Sequence, residues 1–265
     1  MARSSRTLFL TTILAAVTST LPAQTTMTWT VDTDQRQALV FAPPQGPSTN
    51  AHKFPLVFAF HGHGGTMQTA AQGMHLQTLW PQAIIVYPQG MKTPSKVDPD
   101  GKTWGWQQRA GQQGLNDRDL KFFDAMLATL KQQFPVDDTR VYATGFSNGA
   151  VFSYLLWAER GQVLAAFGIC AGALDPAEHF TLARSVVIIG GTNDPILPFP
   201  LQQQTIDLAR QIDNATGPGQ PCGAICTFYA STSQTPVVTR IHSGGHIYPP
   251  WAGAATVEFF KLHKL

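Results

Sequence analysis

The sequence predicts an α/β fold with a mostly parallel central sheet and helices on both faces. Short apolar runs rich in β-branched and aromatic residues recur along the chain, and they do not alternate with polar residues. Such runs suit strands buried on both faces, the environment of a parallel sheet. Segments with helical spacing lie between them, and strand–helix alternation implies right-handed crossovers in one layered domain. A length of 265 residues suits a single large domain with a full core, and no internal repeat or long linker divides it.

The N-terminal stretch stands outside this scheme. Arg3 and Arg6 precede an apolar run from Leu8 to Val17, and small residues follow. That order describes a secretory signal peptide over residues 1–23, cleaved near Ala23, with an apolar run too short to span a bilayer; an uncleaved membrane anchor is the alternative. The domain is expected over residues 28–265. Gln37–Ala42 reads as a strand, and "FPLVFAFHG" and "AIIVYPQG" as the next two. Gly90 to Asn116 is polar, Gly-rich and irregular, with Trp104 and Trp106 inside it; loops of that length in compact domains tend to be functional. "DRDLKFFDAMLATLKQQF" puts Leu120, Phe123, Met126, Leu127 and Leu130 on one helical face, with Asp117 in the N-cap position. "RVYATG" is a strand and "NGAVFSYLLWAERG" a helix that stops at Gly161. "AAFGICAG", "SVVIIGG" and "VVTRIHSGG" supply further strands, and "GAATVEFFKLHKL" a last helix.

Composition narrows the function. The chain is 43% hydrophobic and only 13% charged, against about 25% charged in an ordinary soluble domain. Net charge is +2 with no Lys/Arg run, so nothing electrostatic argues for a nucleic-acid partner. No second apolar stretch reaches about 18 residues, so no membrane partner is expected once the signal peptide is removed. Of the three cysteines, Cys222 and Cys226 lie in "PCGAIC", where an exported protein can close a small disulfide loop. Two unrelated thiols are the alternative. Cys170 sits in an apolar run and reads as core.

The chemistry centres on "YATGFSNGAVFSYLL". Gly145, Ser147 and Gly149 alternate where a strand becomes a helix, and G-x-S-x-G in that context is the nucleophile elbow of the α/β-hydrolase fold. The turn thrusts the serine Oγ outward, and the helix N-terminus behind it favours a developing oxyanion. A serine hydroxyl needs a base, and the base an orienting acid, in the chain order Ser, acid, His. Asp194 follows the strand "SVVIIGG" and His246 follows "VVTRIHSGG". The rivals are weaker. His242 lies within a strand, His179 has no strand before it, and Asp175 follows an earlier strand. Asp207 and Asp213 read as surface positions on a helix.

An oxyanion hole needs two preorganised N–H donors. The amide of Asn148 is one expectation. The other comes from "AFHGHGGTM", with the amide of His63 first and that of Gly64 second. The pair His61 and His63 also permits a zinc reading, but no further His or Asp ligand follows nearby, so no metal is expected.

At these residues the chain resembles a known family. "HGHGG", "RVYATGFSNGAVFSYLLWAE", "GGTNDPILPF" and "GGHIYPPW" resemble, in order and spacing, the secreted polyhydroxybutyrate depolymerase-like esterases. That group is similar to the feruloyl and acetyl xylan esterases of carbohydrate esterase family 1. The resemblance runs over roughly residues 28–265. It implies one α/β-hydrolase domain, export, no cofactor and cleavage of carboxylic esters, with the triad on Ser147, Asp194 and His246. Two departures, "GGTNDP" before the acid and "IYPPW" after the histidine, bear on substrate preference. Trp104, Trp106, Tyr248 and Trp251 are the candidates for a substrate-facing wall, since aromatics give large contact area with few rotamers to freeze; core packing is their alternative. A peptidase, an acyltransferase and a non-catalytic polymer-binding protein remain open on the same fold.

Overall fold

The computed structural model describes residues 23–44 and 53–265; the expected signal peptide lies outside them except for its last residue, Ala23. The chain opens with a hairpin of β1 (Ala23–Val31) and β2 (Asp34–Ala42). Strand β1 begins five residues before the expected domain start at 28. Its inner residues Met27, Trp29 and Val31 alternate with exposed threonines, the pattern of a strand with one solvated face. Next come β3 (Phe54–Phe60), α1 (Met67–Met74), the short α2 (Leu76–Leu79) and β4 (Ile84–Pro88). The long polar segment carries a small two-stranded ribbon, β5 (Met91–Lys92) with β6 (Trp104–Gly105), and leads to α3 (Arg118–Gln133). Then follow β7 (Val136–Phe146), α4 (Asn148–Arg160), β8 (Ala166–Cys170), β9 (Ser185–Gly191) and α5 (Phe199–Ile212). The chain ends with β10 (Gln220–Gly223), β11 (Cys226–Tyr229), β12 (Val237–His242) and α6 (Ala252–Lys261).

One ten-stranded sheet runs in the order β1-β2-β4-β3-β7-β8-β9-β12-β11-β10. The stretch from β4 to β12 is parallel throughout, and an antiparallel pair extends each side. Strands β3, β4, β8 and β9 are buried on both faces, as their unbroken apolar runs require. One face packs on α3, α4 and α5 through Phe122, Phe123, Phe152 and Ile206. The other packs on α1, α2 and α6 through Met74, Leu76 and Phe260. This is the α/β-hydrolase fold.

Two side chains depart from expectation. Asp117 precedes α3 but makes no capping bond; its Oδ1 accepts from Gln107 Nε2 and the Gly111 amide, so it ties the long loop instead. Asp213 is fully buried rather than a surface residue. Its Oδ1 accepts from the Arg184 amide at 2.7 Å, its Oδ2 has no partner, and burial pushes its carboxyl up to about 8.

Candidate active site

Three loops at the C-terminal ends of β7, β9 and β12 bring the site together, where open α/β sheets place their ligands. Ser147 sits between β7 and α4 with φ 54° and ψ −119°, a backbone region that a side chain occupies only under strain. Its amide donates to the Cys170 carbonyl of β8 at 2.9 Å. The flanking glycines explain how the turn is held. A Cβ at Gly145 would overlap the Gly149 carbonyl, and one at Gly149 would overlap the Phe60 carbonyl of β3. Backbone therefore packs on backbone, and the strained serine is fixed by its neighbours.

The loops carrying Asp194 and His246 are zipped to each other. Gly191 pairs with His242 in the β9–β12 register, then the amides of Thr192 and Asn193 donate to the carbonyls of His242 and Gly244 at 2.9 and 3.1 Å. The result is a continuous chain of side chains. Ser147 Oγ lies 2.8 Å from His246 Nε2, and His246 Nδ1 lies 2.7 Å from Asp194 Oδ2. The ring then donates from Nδ1 to the carboxylate and accepts from the serine hydroxyl at Nε2. Asp194 is buried, and its other oxygen accepts from the amides of Ile196 and Leu197, both at 2.8 Å. The carboxylate is thus held in place from three directions.

The loop after β3 stands across from Ser147. A Cβ at Gly62 would lie 3.4 Å from the Ser147 Cβ. The Gly64 amide donates to the Trp104 carbonyl at 2.7 Å and the Gly65 amide to the Gly62 carbonyl at 2.9 Å. Gly64 is therefore corrected as an oxyanion donor, because its N–H is already used. The amides of His63 and Asn148 have no acceptor among the described residues. His61 is structural: Nδ1 donates to the Gly62 carbonyl at 2.8 Å and Nε2 accepts from the Gly90 amide at 2.9 Å. Burial pushes its pKa down to about 4, so the ring is neutral, and with both nitrogens engaged it has none left for a metal. His63 Nε2 meets Thr103 Oγ1 at 2.7 Å and Asp98 Oδ2 at 3.2 Å. No group of three or more metal-ligating side chains occurs among the described residues.

The four aromatics separate. Trp106 is fully buried, which removes it from the substrate wall. It is a strut instead. Its Nε1 donates to the His61 carbonyl at 2.9 Å, its amide donates to Asn148 Oδ1 at 2.6 Å, and its carbonyl accepts from Asn148 Nδ2 at 3.1 Å. It links the loop after β3 to the first residue of α4. Trp104, two positions earlier, is 41% exposed. Trp251 is half-buried, its ring T-shaped to that of His242 with centroids 6.0 Å apart, and it lines no part of the pocket beside Ser147. Tyr248 does line it. That cavity, about 250 Å³, is walled by Gly62, Ala70, Gly73, Met74, Phe146 and Tyr248 among others. Ala70, Gly73 and Met74 of α1 were not anticipated. Their i, i+3, i+4 spacing marks a helix face, but only the packing of α1 beside the Gly62 loop turns that face toward Ser147. Cys222 and Cys226 are joined as a disulfide across the β10–β11 turn, and Cys170 is free and buried.

Fold and site together describe an α/β-hydrolase with a serine at its elbow. The model of the Esterase PHB depolymerase family matches residues 39–222, and the chain belongs to that family. The chain is similar to feruloyl esterase C of Emericella nidulans, 29% identical over 262 residues that cover 89% of this chain and 88% of that one. A probable feruloyl esterase C of Aspergillus clavatus is 28% identical over 236 residues, 80% of this chain and 78% of that one. Among solved structures, an acetyl xylan esterase from Aspergillus awamori shares the fold with a TM-score of 0.67 at 14% identity, over 89% of this chain and 99% of that one. The chain is a serine esterase.

Proposed function

We propose that this esterase is exported and cleaves feruloyl-type aromatic acyl esters of plant polysaccharide through an acyl-enzyme on Ser147. The observation that carries the reading is the hydrogen-bonded run Ser147–His246–Asp194, at 2.8 and 2.7 Å, beside two free backbone amides. His246 takes the serine proton as Oγ attacks the ester carbonyl. Asp194 holds the ring and stabilises its cationic form. The amides of His63 and Asn148 receive the oxyanion; losing one such donor typically costs about 10²–10³ in turnover. His246 returns the proton to the leaving alcohol, and water then releases the acyl group by the same route in reverse.

The pocket and the relatives support this substrate class. The cavity beside Ser147 is walled mainly by apolar groups, with Phe146 and Tyr248 as ring neighbours and His61, His63 and Thr69 as its polar lining, which suits a planar aromatic acyl group. Both curated relatives above are feruloyl esterases by name. Export is supported by the signal-like N-terminus and by the Cys222–Cys226 disulfide, which belongs to an oxidising compartment. The test compares methyl ferulate with a 3-hydroxybutyrate oligomer, with Ser147→Ala alongside. Preference for ferulate, lost in the variant, supports the proposal. Preference for the oligomer makes the enzyme a polyester depolymerase. Activity that survives in folded Ser147→Ala overturns the mechanism.

A further inference from the structure

The geometry points to a glycan-binding groove that leaves the active site past Trp104 and holds the neutral sugar chain bearing the ester. This rests on the polysaccharide-ester reading above and adds to it where the sugar lies. Strand β2 turns Gln37, Leu39 and Phe41 to one face, as period-two alternation requires. Helix α1 runs above them and presents Gln68 and Gln72 one turn apart. Between strand and helix lie two cavities, of about 330 and 250 Å³, that meet at Gln68. From Gln37 to Phe41 the floor runs about 13 Å, room for a short run of sugar rings. One end reaches Trp104, whose carbonyl holds the Gly64 amide at 2.7 Å. The groove therefore begins at the oxyanion loop. The apolar pocket uses the other side of α1, through Ala70, Gly73 and Met74. An ester at Ser147 thus has an apolar recess for its acyl group and a separate polar track for its alcohol.

The chemistry of the track selects the occupant. The side-chain amides of Gln37, Gln68 and Gln72 are exposed and have no hydrogen-bond partner among the described residues. An amide both donates and accepts, as a sugar hydroxyl does, so each matches a sugar in either direction. Arg36 is the one permanently charged side chain among the described lining residues. It is buried and neutralised by Asp119 at 2.8 Å. A track without free charge fits a neutral glycan and offers nothing to an anionic polymer. Strand β1 continues the surface outward, where Thr28 and Thr26 stand opposite Gln37 and Leu39 with exposed hydroxyls. Trp104 supplies the flat face on which a sugar ring stacks.

The test uses the full enzyme on two esters, methyl ferulate and a feruloylated arabinoxylo-oligosaccharide. The quantity read is the ratio of their kcat/KM values. It should exceed one in the wild type and fall about fivefold in Trp104→Ala and in the double variant Gln37→Ala/Gln68→Ala. Calorimetric titration of Ser147→Ala with unesterified xylo-oligosaccharide should give saturable binding, abolished by adding Trp104→Ala. A ratio that the variants leave unchanged while methyl ferulate is cleaved, with no heat of binding, overturns the groove. So does a wild-type dimer in sedimentation that Thr26→Lys dissociates, since that assigns the face to a second copy of the chain. If the wild type leaves methyl ferulate intact, the acyl-substrate reading fails by itself, and the calorimetric titration alone decides the groove.

Discussion

Trp106→Phe isolates the strut from the reacting groups. The indole is fully buried and stacks on Phe152 at 5.3 Å, with Phe60 edge-on at 5.1 Å. Phenylalanine keeps that packing in outline and deletes Nε1, so the His61 carbonyl loses the donor 2.9 Å away. Stranding a buried polar group costs about 1–3 kcal/mol, and the missing ring atoms add a small cavity. A domain of this size should then melt about 2–4 °C lower for each kcal/mol lost. The catalytic effect is distinct. His61 leads directly into His63, whose amide is the proposed oxyanion donor, so a loosened His61 should lower kcat about tenfold, equivalent to about 1.4 kcal/mol of barrier. KM should change little, because Trp106 has no exposed surface to offer a substrate. Thermal unfolding and steady-state kinetics on methyl ferulate, run on the same preparation, separate the two effects. Lower melting with kcat unchanged would make Trp106 a packing residue alone. A raised KM at constant kcat would mean that it touches substrate, and the burial argument would be refuted.

Other perturbations follow from the same geometry. A Cβ at Gly105 would stand 2.7 Å from His63 Nδ1 and 3.0 Å from Asn148 Oδ1, so Gly105→Ala should press apart the two residues whose amides are the proposed oxyanion donors; we expect kcat to fall at least tenfold, about 1.4 kcal/mol, with folding retained by circular dichroism. Asp213 has a folded-state pKa raised by burial to about 8 against an ordinary value of 3.8, so it favours folding fully below that ordinary value and loses the contribution as pH rises toward about 8. Asp213→Asn should therefore flatten the fall in melting temperature across that window, and a profile parallel to wild type would contradict the buried carboxyl. Ser147→Gly removes the Cβ from a φ of 54° and should relieve about 1–3 kcal/mol of strain, partly offset by about 0.5–1 kcal/mol of glycine entropy. Inactive Ser147→Gly should consequently melt higher than inactive Ser147→Ala, and equal melting temperatures would deny the strain.

The parts of this molecule that could be read from sequence are those whose cause is local. Gly145 and Gly149 announce the elbow because only a residue without Cβ permits backbone to meet backbone there. Asp194 and His246 are legible because each follows its strand within a few residues and strand ends form the site. The central strands are legible because burial on both faces leaves an unbroken apolar run. What was missed depends on distant partners. Strand β1 hides because its outward face is threonine, and β10 and β11 because each is only four residues long, with β10 wholly exposed. Trp104 and Trp106 are chemically alike and two residues apart, yet one is solvent-facing and the other buried; the choice is made by Asn148, 42 residues away from Trp106. Gly64 is withdrawn as a donor by a carbonyl 40 residues further on. Asp213 ends an amphipathic helix, where an aspartate is ordinarily solvated. Only the return of the chain, with the Arg184 amide and Ser231 Oγ bonded to it, encloses it.

This division between local and distant causes also says where substrate choice resides. The elbow and the two zipped loops admit almost no variation: Gly145, Gly149 and Gly191 each face backbone where a Cβ would sit. They fix Ser147, His246 and Asp194, the proposed nucleophile, base and acid, without reference to what is cleaved. Around them the contacts are looser. Gly73 has open space where a Cβ would project, in the wall of the proposed acyl pocket. Trp104 stands exposed on a loop tied to the site by its backbone carbonyl to the Gly64 amide, by Thr103 and Asp98 to the His63 ring, and by the Trp106 strut, so its own side chain carries none of these bonds. Side chains at these places can change size or character without disturbing the Ser147–His246 distance. On the proposed reading the α/β-hydrolase frame separates its chemistry, held by glycine packing in the sheet, from its specificity, assigned to α1 and the Gly90–Asn116 loop. On that argument a graft of the loop together with the exposed face of α1 should carry glycan preference into a related esterase, whereas a graft of the elbow would carry nothing.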